Sequence, residues 1–240
     1  MNSSSDSSAR TKDSGNMGAE LHGFDSLSWK FDWKCEKWSE DAVDFCRRVL
    51  ERRGIERIRD GSEGTAFGVS VPRFIPIEHG ITSDVLRKLV GEPEECVEIQ
   101  GNLLVNEGIG RLLDLLCGAG GTAYNNANAF IGVGDTATAA AATDTELLAT
   151  QNAANRFYKI MVATYPVSPG SNGAQSRDWR ADFTTTEANF AWQEWTIAAG
   201  ATTASGSGFL VGTTNLNRKI QSLGTKTTGT WTMTGTVTIS

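Results

Sequence analysis

The stretch that decides the fold is residues 101–135, which read GNLLVNEGIGRLLDLLCGAGGTAYNNANAFIGVGD. Its first half repeats apolar residues at helical spacing, at Leu104, Val105, Ile109, Leu112, Leu113, Leu115 and Leu116. Asn106 is suited to cap the start of this helix, and Gly118 is suited to end it. A helix of about three turns is stable only when it is packed, so we expect it to cover the open end of a sheet.

The second half of the same stretch predicts a strand. Ala129, Ile131 and Val133 occupy alternate positions, while Gly132 and Gly134 leave little side chain on the other face. This pattern predicts that another backbone approaches closely there. The glycines do not form a dinucleotide fingerprint, because the residues after them supply no third glycine. The chain also lacks a G-x-x-x-x-G-K-[ST] motif, so we expect no bound nucleotide.

Length and charge narrow the class of protein. At 240 residues the chain can bury a substantial core. A net charge of -6 and a pI near 5.1 argue against a basic nucleic-acid-binding face. No apolar run has the length that a bilayer span needs, and the first residues have no apolar core like that of a secretory signal. We therefore expect no nucleic-acid partner and no membrane partner.

Cysteine and histidine are too scattered for a predicted zinc site. The four cysteines show no C-x-x-C spacing, and the two histidines are His22 and His79. Cys46 and Cys117 lie on apolar helical faces and are predicted to be small core residues. A disulfide between Cys35 and Cys46 stays open as an alternative, but the cysteine usage favours a reducing cytoplasm as the place of synthesis.

The chain divides into three predicted regions. Residues 1–20 are rich in serine and aspartate, and we expect a flexible N-terminal arm. Residues 21–100 form a mixed α+β region. Residues 101–240 form a helix plus β-sandwich domain. Charged residues are concentrated before residue 101, so the nearly neutral C-terminal part is the one expected to be buried among copies of itself.

An aromatic segment opens the second region. Trp29, Phe31 and Trp33 alternate with charged residues, which is strand periodicity, and Trp38 follows. One interpretation is an edge strand that packs on its own domain. The functional interpretation is an aromatic anchor at a subunit interface formed by Trp29, Phe31, Trp33 and Trp38, since tryptophan is enriched at interface hot spots. A third is a carbohydrate platform on Trp29, Trp33 or Trp38.

The rest of the second region carries two helix signals between loops. Ser39 caps a helix predicted for residues 40–53, with acidic residues in its first turns, arginines in its last and Gly54 after it. Thr82 or Ser83 caps a short helix through Leu89. Residues 55–80 are predicted to be rich in loops with short extended pieces. The glutamates around Cys96 are predicted to be a solvated acidic turn, because no calcium-loop motif is present.

Beyond Asp135 short strands follow a long threonine-rich connection, in which one helical turn is expected near Leu147. Strands are predicted at residues 157–165, 179–184, 190–198, 215–223 and 230–240. In the last of these, Thr232, Thr234, Thr236 and Thr238 form an uncharged face that we expect to pack on a neighbouring subunit. Trp192 and Trp195 are predicted to be sandwich core rather than interface. The predicted fold class is therefore mainly β, with a C-terminal antiparallel β-sandwich, a few short helices and a mixed α+β N-terminal region.

No constellation for catalysis is visible in the sequence. Nucleophilic catalysis needs a base held beside the nucleophile, but His22 lies next to the predicted arm and His79 lies in the predicted turn 78–80. No G-x-S-x-G motif is present. Without clustered histidine, cysteine or acidic ligands, metal catalysis has no scaffold either. We expect a protein that is not an enzyme, with no catalytic, cofactor-binding or metal-ligating residues and no cofactor.

The C-terminal 140 residues or so resemble a family of tailed-bacteriophage virion proteins. The resemblance is carried by residues 101–109, 125–129, 131–135, 189–195, 216–219, 222–226 and the closing alternating strand. The Gly-Val-Gly-Asp, the threonine-rich segment and Glu146-Leu147 also resemble, more weakly, the attachment domains of phage tail-fibre proteins. These motifs carry no known chemistry, so no site residue is transferred.

The resemblance implies a non-enzymatic virion structural protein, made in the host bacterial cytoplasm and located in the virion. We expect a capsid (head) decoration or cement protein that binds the shell surface, with the major capsid protein as its first partner. A homo-oligomer is expected, for example a trimer. The alternatives are a tail or neck accessory protein, a fibre-attachment protein, or a host-surface carbohydrate-binding module.

Overall fold

The computed structural model describes residues 29–66, 69–77, 80–168, 175–200 and 213–239, with side chains described outside residues 59–75. The predicted arm, His22 and His79 lie outside the described residues. The described strands are β1 (Trp29–Trp38), β2 (Arg57–Ala66), β3 (Val69–Pro76), β4 (Glu95–Gln100), β5 (Leu103–Leu104), β6 (Ala129–Gly134), β7 (Arg156–Ile160), β8 (Ser176–Phe183), β9 (Ala191–Ala199), β10 (Thr214–Asn215), β11 (Asn217–Thr225) and β12 (Thr230–Ile239). The described helices are α1 (Glu40–Arg52), α2 (Ser83–Leu89) and α3 (Asn106–Cys117).

Two antiparallel sheets make up most of the fold. The first sheet has the strand order β4-β1-β12-β8, and the second has the order β5-β11-β9-β6-β7 with β10 beside β9. Strands β2 and β3 form a separate hairpin. The prediction of a mainly β, sandwich-like fold is confirmed.

The main core lies between the two sheets and draws aromatic residues from both. Trp33 of β1 and Trp195 of β9 meet edge to face, with ring centroids 6.1 Å apart. Trp192 of β9 makes a similar contact with Trp231 of β12 at 4.9 Å. Such pairs contribute about 0.5–1.5 kcal/mol beyond the burial of their area. Trp192 and Trp195 are fully buried, so their prediction as sandwich core is confirmed.

The position of β1 differs from two predictions: the start of the sandwich domain at residue 101, and the interpretation of residues 29–38 as an edge strand. The strand lies in the middle of the first sheet, antiparallel to β12 on one side and to β4 on the other. Its register with β12 runs from Trp29 opposite Ile239 to Trp38 opposite Thr230. The sandwich therefore includes residues on both sides of position 100, because the last strand of the chain pairs with the first described strand.

A second, smaller core joins helices α1 and α2 and the hairpin to the end of β1. Trp38 is buried there with Leu50 of α1, Leu86 of α2 and Ile58 of the hairpin. The Ser39 side chain accepts a hydrogen bond from the Ala42 backbone N–H at 3.2 Å, so the predicted cap is confirmed. These residues form a subsidiary cluster on one end of the sandwich.

Strands β2 and β4 were not predicted, and neither was the short strand β5, because Leu104 was assigned to the helix. The prediction of a loop-rich stretch missed β2, and the prediction of a solvated acidic turn missed β4. The alternation in β4 is short, since only Val97 and Ile99 face the core and most of its other side chains are exposed. Pairing with β1 makes β4 a strand. The helical turn expected near Leu147 is also wrong, because residues 135–155 contain turns and no helix.

Helix α3 lies at the end of the sandwich where β1 begins and β12 ends. The helix follows β5, which pairs with the start of β11, and Leu112 and Leu115 pack against the main core. Gly108 allows close contact, since a Cβ there would lie 2.5 Å from the Leu216 carbonyl oxygen. Gly118 ends the helix with a φ of 71°, as predicted. Val105, not Asn106, occupies the N-cap position.

Candidate functional site

The four aromatic residues predicted as an anchor lie in different surroundings. Phe31 and Trp33 are buried in the main core, and Trp38 is buried in the second core. The prediction that these three residues form an interface is therefore wrong, and so is the alternative of glycan stacking on Trp33 or Trp38. Their side chains are enclosed by the two cores of the chain itself. Trp29 is 37% exposed at the start of β1, and its predicted interface role stays a prediction.

Helix α3 places an apolar stripe on the surface at the same end as Trp29. We define the α3 stripe as Ile109, Leu113 and Leu116, which are 42%, 55% and 82% exposed. The three residues follow the i, i+4, i+7 spacing of one helix face. The inner leucines of the helix already contact the core, so the stripe is a second apolar face. Cys117, predicted to be core, is exposed beside it.

The threonine face of β12 makes internal contacts over part of its length. Thr232 is fully buried and donates a hydrogen bond to Asp182 of β8 at 2.8 Å. The other carboxylate oxygen of Asp182 accepts from the backbone N–H of Ser83 in α2 at 3.0 Å. Thr236 donates to Asp178 at 2.6 Å. The prediction that this face packs on a neighbouring subunit is wrong for Thr232, because helix α2 covers it.

The outer face of the second sheet carries a buried ion pair. Arg218 of β11 and Glu194 of β9 are both fully buried, with Arg218 Nη2 2.6 Å from Glu194 Oε2. Arg218 also bonds to Asp144 at 2.8 Å and to the Thr138 carbonyl at 2.9 Å. Asp144 and Thr138 belong to the β6–β7 connection, residues 135–155. The guanidinium therefore fastens this connection to the sheet.

The same connection accounts for the two glycines of β6. A Cβ on Gly132 would lie 2.5 Å from Tyr158, and a Cβ on Gly134 would lie 2.6 Å from the Glu194 carboxylate. Leu147 of the connection is also within contact distance of Gly132. The prediction that another backbone approaches these glycines is wrong, because the atoms nearest to them belong to side chains. Because these two glycines have no side chain, the side chains of the neighbouring strands and of the β6–β7 connection can pack against β6.

A second buried charge cluster surrounds the ammonium of Lys226, which follows β11. The Nζ atom donates to the Thr184 carbonyl at 2.7 Å, to Asn189 Oδ1 at 2.7 Å and to the Thr227 carbonyl at 3.1 Å. Lys226 is 1% exposed. Burial lowers the pKa of Lys226 to about 7, while the Glu187 charge opposes this and Lys159 adds to it.

Glu187 completes this cluster from the connection between β8 and β9. Its carboxylate accepts from the Thr184 backbone N–H at 2.9 Å and from Lys159 at 2.6 Å. Burial alone would raise the pKa of Glu187, but Lys159 and the Thr184 hydrogen bonds together hold it below its usual value. A buried amine, an amide and a carboxylate are thus gathered around one residue, Thr184.

No metal site or membrane helix is found in the part of the chain that the structure describes. Within these residues no group of three or more histidine, cysteine or acidic side chains could hold a metal ion. None of the described helices is long and apolar enough to cross a membrane. Cys35 and Cys46 are buried and both thiols are free, so the alternative of a disulfide between them is not realised.

Comparison of the chain with protein-family models, curated proteins and solved structures finds no match.

Sequence reasoning missed both buried charge clusters. One signal for the first was available, since Glu194 is a lone acid within the apolar run Ala191-Trp192-Gln193-Glu194-Trp195. A carboxylate inside a core strand requires a partner. The pairing of β11 with β9 brings Arg218 to Glu194 as that partner. The Lys226 cluster had no such signal, because Lys226 and Asn189 both lie in polar connections between strands.

Proposed function

We propose that this chain is a non-enzymatic structural protein of a bacteriophage virion, and that it decorates the surface of the head shell. The observation that carries the proposal is the α3 stripe, Ile109, Leu113 and Leu116. A helix whose inner leucines already pack against the core has no internal need for a second apolar face. Contiguous exposed apolar side chains on a soluble protein mark association surfaces.

The position of the stripe supports a docking end. Trp29 pairs with Ile239, and β4 ends at Gln100 opposite Asp32 before the chain continues through β5 into α3. The described chain therefore begins and ends at the same end of the sandwich as α3. The 28 residues that precede Trp29 in the sequence are therefore attached to the chain at this end of the sandwich. The partner we assign to this end is the major capsid protein of the shell. The resemblance of residues 101–240 to phage virion proteins agrees with that assignment.

The internal use of charged side chains supports a structural role. Arg218, Glu194, Asp182 and Lys226 are all buried and bonded within the chain. These groups fasten connections to the sheets, which suits a rigid module. We further propose a homo-oligomeric arrangement on the shell, for example a trimer.

The first experiment is quantitative mass spectrometry of purified virions. A copy number in fixed ratio to the shell protein is expected for a decoration protein. Only a few copies per particle would overturn the head assignment and favour a tail, neck or fibre-attachment role. Absence from the virion would overturn the proposal as a whole.

The second experiment tests the docking end directly. The double variant Leu113→Asp, Leu116→Asp should lose binding to heads that lack the protein, while its thermal unfolding temperature stays close to that of the wild type. The matched control is Phe45→Asp, because Phe45 is 47% exposed on α1, which follows the opposite end of β1. Equal loss in both variants, or no loss in either, would contradict docking through α3.

A further inference from the structure

We propose that Lys226 and Asn189 become joined by an intramolecular isopeptide bond, formed by the folded chain itself with loss of ammonia. The inference does not rest on the proposed virion function. It rests on the placement of an amine, a primary amide and a carboxylate in one buried cluster. Each of the three groups comes from a connection between strands of different sheets.

The geometry places the nucleophile beside the amide group that contains the electrophilic carbon. Lys226 Nζ lies 2.7 Å from Asn189 Oδ1, and Lys226 is almost completely buried. Asn189 Nδ2 donates to the Thr185 carbonyl at 2.7 Å. That bond fixes the orientation of the amide plane, so its carbonyl side is held towards the lysine. Holding two reacting groups together in this way removes much of the entropic barrier to their reaction.

The amine is available as a nucleophile at neutral pH. Burial lowers the pKa of Lys226 to about 7, so a large fraction of the side chain is neutral near that pH. A neutral amine has the lone pair that attack on a carbonyl carbon requires. The two remaining acceptors, the Thr184 and Thr227 carbonyl oxygens, keep Nζ next to the amide in either protonation state.

Glu187 is the group we assign to proton transfer. Its charge acts on Lys226, and its carboxylate bonds to Thr184, the residue whose carbonyl oxygen accepts from Lys226. Nζ attacks Asn189 Cγ, and Glu187 takes a proton from the attacking nitrogen and delivers it to Nδ2. The Cγ–Nδ2 bond then breaks and ammonia leaves. The amine and amide become a secondary amide and ammonia, with no oxidant or cofactor.

The bond would lock the two connections that close one end of the sandwich. Asn189 lies between β8 of the first sheet and β9 of the second, and Lys226 lies between β11 of the second sheet and β12 of the first. The two residues are 37 positions apart. A covalent link between them restricts the unfolded chain and so raises resistance to unfolding, as other long-range cross-links do.

Intact mass spectrometry of the denatured full chain is the decisive test. The expected result is a mass about 17 Da below that of the sequence, the mass of one ammonia. Tryptic digestion should then fail to cleave after Lys226 and should yield a branched peptide of residues 181–218 and 220–240. The full sequence mass, with normal cleavage after Lys226, would overturn the proposal and leave Lys226 as a cation held by three oxygens.

Two variants separate this bond from other losses of ammonia. Lys226→Arg should restore the full mass, whereas a succinimide formed at Asn189 alone would persist in that variant and overturn the proposal. Glu187→Gln should slow or abolish formation of the branched peptide. Because the decisive measurement uses the wild-type chain, a variant that fails to fold does not prevent the test.

Discussion

Arg218 and Glu194 form a fully buried ion pair across β11 and β9, with Nη2 2.6 Å from Oε2. The pair lies under the β6–β7 connection, whose backbone N–H groups at Leu148 and Ala149 also bond to the Glu194 carboxylate. The carboxylate is therefore satisfied by both a neighbouring strand and a covering segment. Because each charge depends on the other, this arrangement determines which single substitutions the outer face of the second sheet tolerates.

Removal of one member of the pair should destabilise the protein strongly. Arg218→Met leaves Glu194 buried without its counter-charge, and we expect a loss of about 3–5 kcal/mol in the free energy of unfolding. Urea denaturation measures the loss. The double variant Arg218→Met, Glu194→Gln should recover part of it, because no charge is then left buried. Strictly additive losses would contradict a direct coupling of the two side chains.

Two glycines of α3 should respond in opposite directions to alanine. Gly108→Ala places a Cβ 2.5 Å from the Leu216 carbonyl oxygen, so we expect a loss of about 1–3 kcal/mol from overpacking. Gly110→Ala on the same helix meets nothing within 4 Å and should gain up to about 1 kcal/mol from helix propensity. Thermal unfolding compares the two variants. Equal effects at both positions would contradict the close contact between α3 and β10–β11.

The four cysteines should divide into two classes of reactivity. Burial raises the pKa of Cys35 to about 12 and that of Cys46 to about 11, and both thiols are enclosed by side chains. Cys96 and Cys117 are exposed. A thiol reagent at neutral pH should label the exposed pair in the native protein and all four only after denaturation. Rapid native labelling of Cys35 would show that β1 is not held in the sheet interior.

Acid should weaken the fold partly through Glu36. Burial would raise the pKa of this carboxyl, but Arg87 and Lys34 hold it below its ordinary value of 4.5. The unfolded chain therefore binds a proton that the folded chain does not, and stability falls as the pH drops below about 4.5. Glu36→Gln should be less stable than the wild type near neutral pH and should show a shallower decline in acid. Parallel pH profiles from urea titrations would contradict this role.

Local features of the sequence determined most of the secondary structure correctly. Ser39 and Gly54 bracket α1 as predicted, and Gly118 ends α3 in the left-handed conformation. The alternation in β12 and the apolar β6 gave strands at the predicted positions. Helix caps and hydrophobic periodicity depend on residues that are close in the sequence, so they can be recognised without knowledge of the tertiary structure. From the same patterns a mainly β protein with few short helices was predictable.

Tertiary structure decided the position of β1, the existence of β4 and the partners of the buried charges. The alternation of Trp33 with charged residues fits an edge strand and a central strand equally well. Only the pairing of β1 with both β12 and β4 shows that it is a central strand. Glu194 meets Arg218 across 24 positions, and Asn189 meets Lys226 across 37. Local periodicity carries no information on such distances, because strand register and the route of each connection bring the partners together.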